Sequence, residues 1–180
     1  MEGGIQAWHG LTADGPPEGG VAYFSAGQNT ADMVSLAWAL EENTRLFYMS
    51  LAGMNPGKEE ADLFLTLARA ERHHEGILAT IHSDLSSDPV ERFFNSQDKP
   101  VIEGGVALEK ALDWAEDRKG EQLLELAIGL EANAYDRYLK MVDVSEDETA
   151  KEVFRTIAKE EKEHLMRLSK LLDQVVKQGI

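Results

Sequence analysis

The sequence predicts an all-α fold, a bundle of four long helices with one long crossover, containing a short helix, between the second and third. Three observations carry that prediction. Apolar residues recur at helical spacing through four long stretches. Strand-type alternation is nearly absent, and the prolines fall at the start of the chain or in the breaks between stretches.

Residues 1–28, with GLTADGPPEGG, read as an extended arm or linker preceding a domain over 29–180. Thr30 is the expected N-cap of the first helix, which reaches about Met54. The break NPG at 55–57 sets Pro56 at the start of a second helix, about Lys58 to His82. Residues 83–105 are punctuated by Pro, Gly and Ser, and a short helix follows at about Val106 to Arg118. A third long helix covers about Glu121 to Val144. SEDE at 145–148 matches a capping box, Ser145 to Glu148, opening a fourth helix to about Lys177. Short turns make helices 1–2 and 3–4 antiparallel hairpins, and the long link lets the second hairpin pack on the first.

Composition narrows the function. The formal charge of −15, from 33 acidic and 18 basic residues, argues against nucleic acid and anionic membrane surfaces as partners. It also leaves carboxylates available for cations. With no cysteine, disulfides, thiolate metal sites and cysteine nucleophiles are excluded, which suits a cytoplasmic location. No apolar run approaches the roughly 18 residues of a membrane span, and the N-terminus lacks a signal-peptide pattern.

The buried stripes carry the chemistry. They read Val34, Ala37, Glu41, Thr44, Tyr48, Leu51; Phe64, Leu67, Glu71, His74, Leu78, Ile81; Leu124, Ala127, Glu131, Ala134, Tyr138, Met141; and Phe154, Ile157, Glu161, His164, Leu168, Leu171. Each is mostly apolar but is interrupted at its middle by a Glu, and two also by a His three residues later. Burying unpaired carboxylates costs several kcal/mol each, and no basic residue lies on the stripes. Two divalent cations would neutralise the four acids. Glu and His at i, i+3 share one helical face and can bind one ion together. Two such pairs plus one Glu from each remaining helix match the known ligand set of ferritin-like dinuclear carboxylate proteins. Glu41, Tyr48, Phe64, Glu71 and His74 recur 90 residues later as Glu131, Tyr138, Phe154, Glu161 and His164. The chain therefore holds two copies of one helical hairpin, each supplying half of a site.

The segments EENTRLFY (41–48), AERHHE (70–75), EANAYDRY (131–138) and AKEEKEH (158–164) resemble the rubrerythrin branch of the ferritin-like proteins, over about residues 30–175. The resemblance implies two iron ions, with manganese or zinc as substitutes. It implies that Glu41 and Glu131 bridge or flank the metals, while Glu71 with His74 and Glu161 with His164 each hold one. Tyr48 and Tyr138 are then hydrogen-bond donors to the ligands. The implied activity is redox chemistry with hydrogen peroxide or dioxygen, in a homodimer, protecting against oxidative stress. Alternatives are ferrous-iron oxidation and handling without peroxide turnover, or a metal-binding structural bundle. Family members that reduce peroxide typically carry a further carboxylate where this chain has Ala134, and many carry a cysteine-ligated rubredoxin module. Without cysteine, electrons must come from an external donor such as a rubredoxin-like protein.

Other residues have plainer readings. The alternative for the six ligand candidates is solvent-facing acids and core-packed histidines; the stripes and the repeat favour ligands. His73 falls beside the stripe, and Glu75, Glu160 and Glu163 form a solvated or interhelical charged face. Tyr135 suits either the site or the core. Gly76 and Gly129 allow close helix approach, and Trp8, Trp38 and Trp114 are packing anchors. MEGGIQAWHG resembles the closing segment of rhodanese-like domains, through Gly3, Gly4, Trp8 and Gly10, and otherwise reads as an unrelated arm. The resemblance implies the C-terminal part of a rhodanese–rubrerythrin fusion, with PPEGG as linker and no sulfurtransferase activity in these residues.

Overall fold

The computed structural model describes residues 29–54, 57–96, 98–118 and 120–178. The N-terminal arm with its rhodanese-like stretch, and Pro56, lie outside the described residues. Four long helices form the body: α1 (Thr30–Gly53), α2 (Lys58–Leu85), α5 (Gly120–Val144) and α6 (Glu148–Gln178). The crossover carries α3 (Arg92–Ser96), a 3-10 turn (Glu103–Gly105) and α4 (Leu108–Glu116). Sequence reading anticipated only the last of these. The described residues contain no strand, and Val101 and Ala107 form an isolated antiparallel bridge.

Two helix starts are shifted from expectation. Asn29, not Thr30, caps α1: its side chain accepts from the Asp32 N–H at 2.8 Å while its own backbone is extended. Asp147, not Ser145, caps α6, accepting from the Ala150 N–H at 2.7 Å. Glu148 then pairs with Lys151 at 2.7 Å rather than closing a capping box. In both cases the cap is the residue immediately before the first helical one, whose side chain reaches an N–H that has no partner within the helix.

The α1–α2 and α5–α6 hairpins each pack along their length, and together they enclose the core. Every residue of the four sequence stripes is buried. The apolar ones form two clusters. The first joins the end of α1, the start of α2, the start of α5 and the end of α6, through Leu51, Phe64, Leu124 and Leu168. The second joins the opposite ends, through Val34, Leu78, Met141 and Phe154. This arrangement is what a two-fold repeat of one hairpin produces, and the polar middles of the stripes fall between the clusters. The crossover is fastened to α1: Ser35 Oγ donates to the Val90 carbonyl at 2.7 Å, and Asn43 Nδ2 to that of Val101 at 2.8 Å.

Among the described residues, no helix is long and apolar enough to cross a membrane. Gly76 does not mark a close helix approach, because a Cβ there would meet nothing within 4 Å. Trp38 packs edge-on against Phe94 of α3, with ring centroids 5.8 Å apart.

Candidate metal centre

All six sequence-predicted donors converge between the two apolar clusters and are buried. They form two overlapping groups. Glu41, Glu71, His74 and Glu161 offer donor atoms within 4.8 Å of one another, and so do Glu131, Glu161 and His164. Glu161 belongs to both. Its Oε1 lies 3.2 Å from His74 Nδ1 and its Oε2 lies 3.0 Å from His164 Nδ1. His74 Nδ1 also lies 3.2 Å from Glu71 Oε2 and 3.7 Å from Glu41 Oε2. His164 Nδ1 lies 3.0 Å from Glu131 Oε2, and the two imidazole centroids are 5.9 Å apart.

The tyrosines work across the repeat. Tyr48 of the first hairpin donates to Glu131 Oε1 of the second, and Tyr138 of the second donates to Glu41 Oε1 of the first. Each tyrosine is backed by a phenylalanine: Tyr48 by Phe64 at 6.2 Å between centroids, and Tyr138 by Phe154 at 6.3 Å. Burial, then the neighbouring acids, raises both hydroxyls well above the usual phenol range, so they remain protonated donors. Tyr135 instead packs against the second apolar cluster.

Three contributors were not read from the sequence. Arg137 is fully buried, and its Nη2 donates to Glu41 Oε1 at 2.7 Å and to Glu103 Oε1. Its guanidinium carbon stands 4.0 Å from the centre of the Tyr138 ring. The stripes themselves hold no Lys or Arg, but this flanking Arg reaches the site, correcting the expectation that no such residue neutralises these acids. Glu103 arrives from the crossover, its N–H held by Thr44 Oγ1 at 3.2 Å. The turn after it needs glycine: Gly104 has φ 79°, and a Cβ there would come 2.7 Å from Asn133 Nδ2. The third is Glu160, expected on a solvated charged face. It reaches inward, its Oε2 lying 3.1 Å from His74 Nε2. Glu75 is buried and interhelical, paired with Arg45 of α1 at 3.1 Å.

Electrostatics separates the acids. Burial alone would raise the Glu41 carboxyl, but His74 and Arg137 overcome it and hold the group well below the usual range. Burial likewise opposes ionisation of Glu161, and His164 and His74 overcome it. Glu71 is raised well above its ordinary value by burial and by Glu41, Glu161 and Glu131. Glu131 is pushed up to about 8, by burial first and Glu161 second. Burial lowers His164, but its bonds to Glu131 and Glu161 outweigh that and raise it to about 9.

The donor set fits two cations. Arg137 pairs with both Glu41 and Glu103, so its single charge cannot also balance Glu71, Glu131 and Glu161. Glu161 Oε1 is buried and accepts no hydrogen bond despite its nearness to His74. Such an unsatisfied carboxylate oxygen among three other acids is costly without an electropositive partner. Oxygen and imidazole donors with no thiolate suit iron, manganese or zinc.

Comparison with known proteins agrees with this geometry. A family model described as Rubrerythrin matches residues 32–172. Among solved structures, a hypothetical protein from Pyrococcus furiosus aligns with TM-score 0.69 at 22% identity, covering 92% of this chain and 98% of that one. At that identity the likeness speaks to fold. No curated protein matches. With its ferritin-like bundle, its duplicated Glu and Glu-x-x-His donors and a family match spanning most of its length, the chain belongs to the rubrerythrin family.

Proposed function

We propose that the chain is a di-iron oxidoreductase that reduces hydrogen peroxide or dioxygen, drawing electrons from an external donor. The observation that supports this most directly is the buried donor set joined by Glu161, with one oxygen turned to each histidine. Glu41, Glu71, His74 and Glu161 would hold one ion, and Glu131, Glu161 and His164 the other. Iron held there would supply one electron from each ion to an oxidant. Reducing hydrogen peroxide to two waters takes those two electrons and two protons.

The chain's own residues do the rest. Tyr48 and Tyr138 fix one oxygen of Glu131 and of Glu41, so the opposite oxygens face the centre. The same hydroxyls hold protons at the edge of the site. Phe64 and Phe154, behind them, exclude water from that wall. Glu160 stands at His74 Nε2, so an ion held at Nδ1 would leave the ring's remaining proton on Nε2, donated to Glu160.

A second reading, ferrous-iron oxidation without peroxide turnover, is favoured by Ala134, which stands where peroxide-reducing relatives typically carry another carboxylate. Rapid mixing separates the two. Anaerobically reduced, iron-loaded protein mixed with hydrogen peroxide should oxidise two irons per peroxide, and turn over repeatedly with a reduced rubredoxin-like donor. Oxidation no faster than free ferrous iron would overturn the peroxidase reading. Net uptake beyond two irons per chain under air would favour iron handling.

A further inference from the structure

The two halves of the repeat are not equivalent at the site, and the differences all fall on one side. On the first side four residues converge, and on the second three. His74 is fully buried and its Nε2 is bonded to Glu160. The repeat equivalent of Glu160 is Ala70, so His164 has no such partner. His164 itself lines a surface pocket of about 310 Å³ with Thr156, Lys159, Glu160, Glu163 and Arg167, whereas His74 is shielded from that pocket by Glu160. Glu41 Oε1 takes both Arg137 and Tyr138, whereas Glu131 Oε1 takes Tyr48. The repeat equivalent of Arg137 is Phe47, and Glu103 comes from the crossover, outside the repeat.

We propose that the centre fills in a fixed order: a first ion at Glu41, Glu71, His74 and Glu161, and a second at Glu131, Glu161 and His164, with Arg137 and Glu103 positioning Glu41 for the first. The proposal rests on the dinuclear reading above. The physical reason is preorganisation: donors already held by neighbours lose little freedom when an ion arrives. Arg137 does this, and its repulsion of the ion is reduced because the same guanidinium pairs with Glu103 as well as with Glu41. It also occupies one oxygen of Glu41, so that residue offers the ion Oε2 alone. The second group has fewer donors and a histidine at the surface pocket, so its ion is bound less tightly and exchanges more readily.

Cobalt(II) titration of the full chain, followed by calorimetry and by visible absorption, tests this. Wild type should take two ions in resolved steps at least about tenfold apart in affinity. His164→Ala should keep the first step, within about threefold in affinity and with its spectrum unchanged. His74→Ala should lose that tight step. The paired variant Arg137→Met with Glu103→Gln, which removes both charges, should bring the two steps together. Two ions of equal affinity in wild type, or loss of the same step in both histidine variants, would overturn the order while leaving a dinuclear centre standing. If the paired variant does not fold, the two histidine variants still decide the matter. No cobalt bound by wild type would overturn the dinuclear reading itself.

Discussion

Arg137 shows how one side chain changes the chemistry of its neighbours. It ties an acid from the repeat, Glu41, to an acid from the crossover, Glu103, with all three groups buried. Removing one partner of such a pair leaves uncompensated charge in the core. Arg137→Met should therefore destabilise the metal-free protein by about 3–5 kcal/mol, measured by urea unfolding. Adding Glu103→Gln should recover part of that loss, and no recovery would contradict the pairing. Titration gives a second prediction at this scale. Glu131 has a folded value of about 8 against an ordinary 4.5, so its contribution is complete below 4.5 and lost as pH rises through 8. His164, about 9 against 6.5, has the same sign: its contribution is complete below 6.5 and lost through 9. Glu41 and Glu161, held low, lose theirs only in acid. The melting temperature of metal-free protein should fall from about pH 5 to about pH 9, and a rise would contradict the assignment. Bound cations should flatten the slope, since they replace those protons.

Individual elements show what the sequence made legible and what it hid. The four stripes were readable because a 3.6-residue period marks a buried face whatever that face packs against. The polar interruptions stood out for the same reason, and the 90-residue offset tied them together. Arg137 lies off its stripe, and only the packing of α5 against the crossover turns it inward. Glu103 sits in a segment without periodicity, placed by a turn whose glycine has positive φ. Glu160 looked like one member of a charged helix face, because no local pattern reports that His74 lies opposite. Gly76 and Gly104 make the contrast measurable. Gly76→Ala, in a helix with space around it, should stabilise by about 0.5–1 kcal/mol. Gly104→Ala, at φ 79° and against Asn133, should destabilise by about 1–3 kcal/mol. Chemical denaturation of both variants checks the pair, and equal effects would contradict the account of the turn.

For the molecule as a whole, duplication explains most of the architecture and departures from it explain the site's asymmetry. Two copies of one hairpin place an apolar cluster on either side of a shared polar layer. The crossover then breaks the symmetry by adding Glu103 and fastening itself to α1. That layer is a cost to the fold until cations occupy it, so metal binding and stability should be coupled. Glu161 belongs to both donor groups and so joins them into one site. The most direct test of a dinuclear centre there is the iron content of protein loaded anaerobically with ferrous iron and desalted, compared with Glu161→Ala treated identically. Wild type should retain two irons per chain and the variant one or none. Iron content unchanged by the substitution, or wild type that retains no iron, would contradict it.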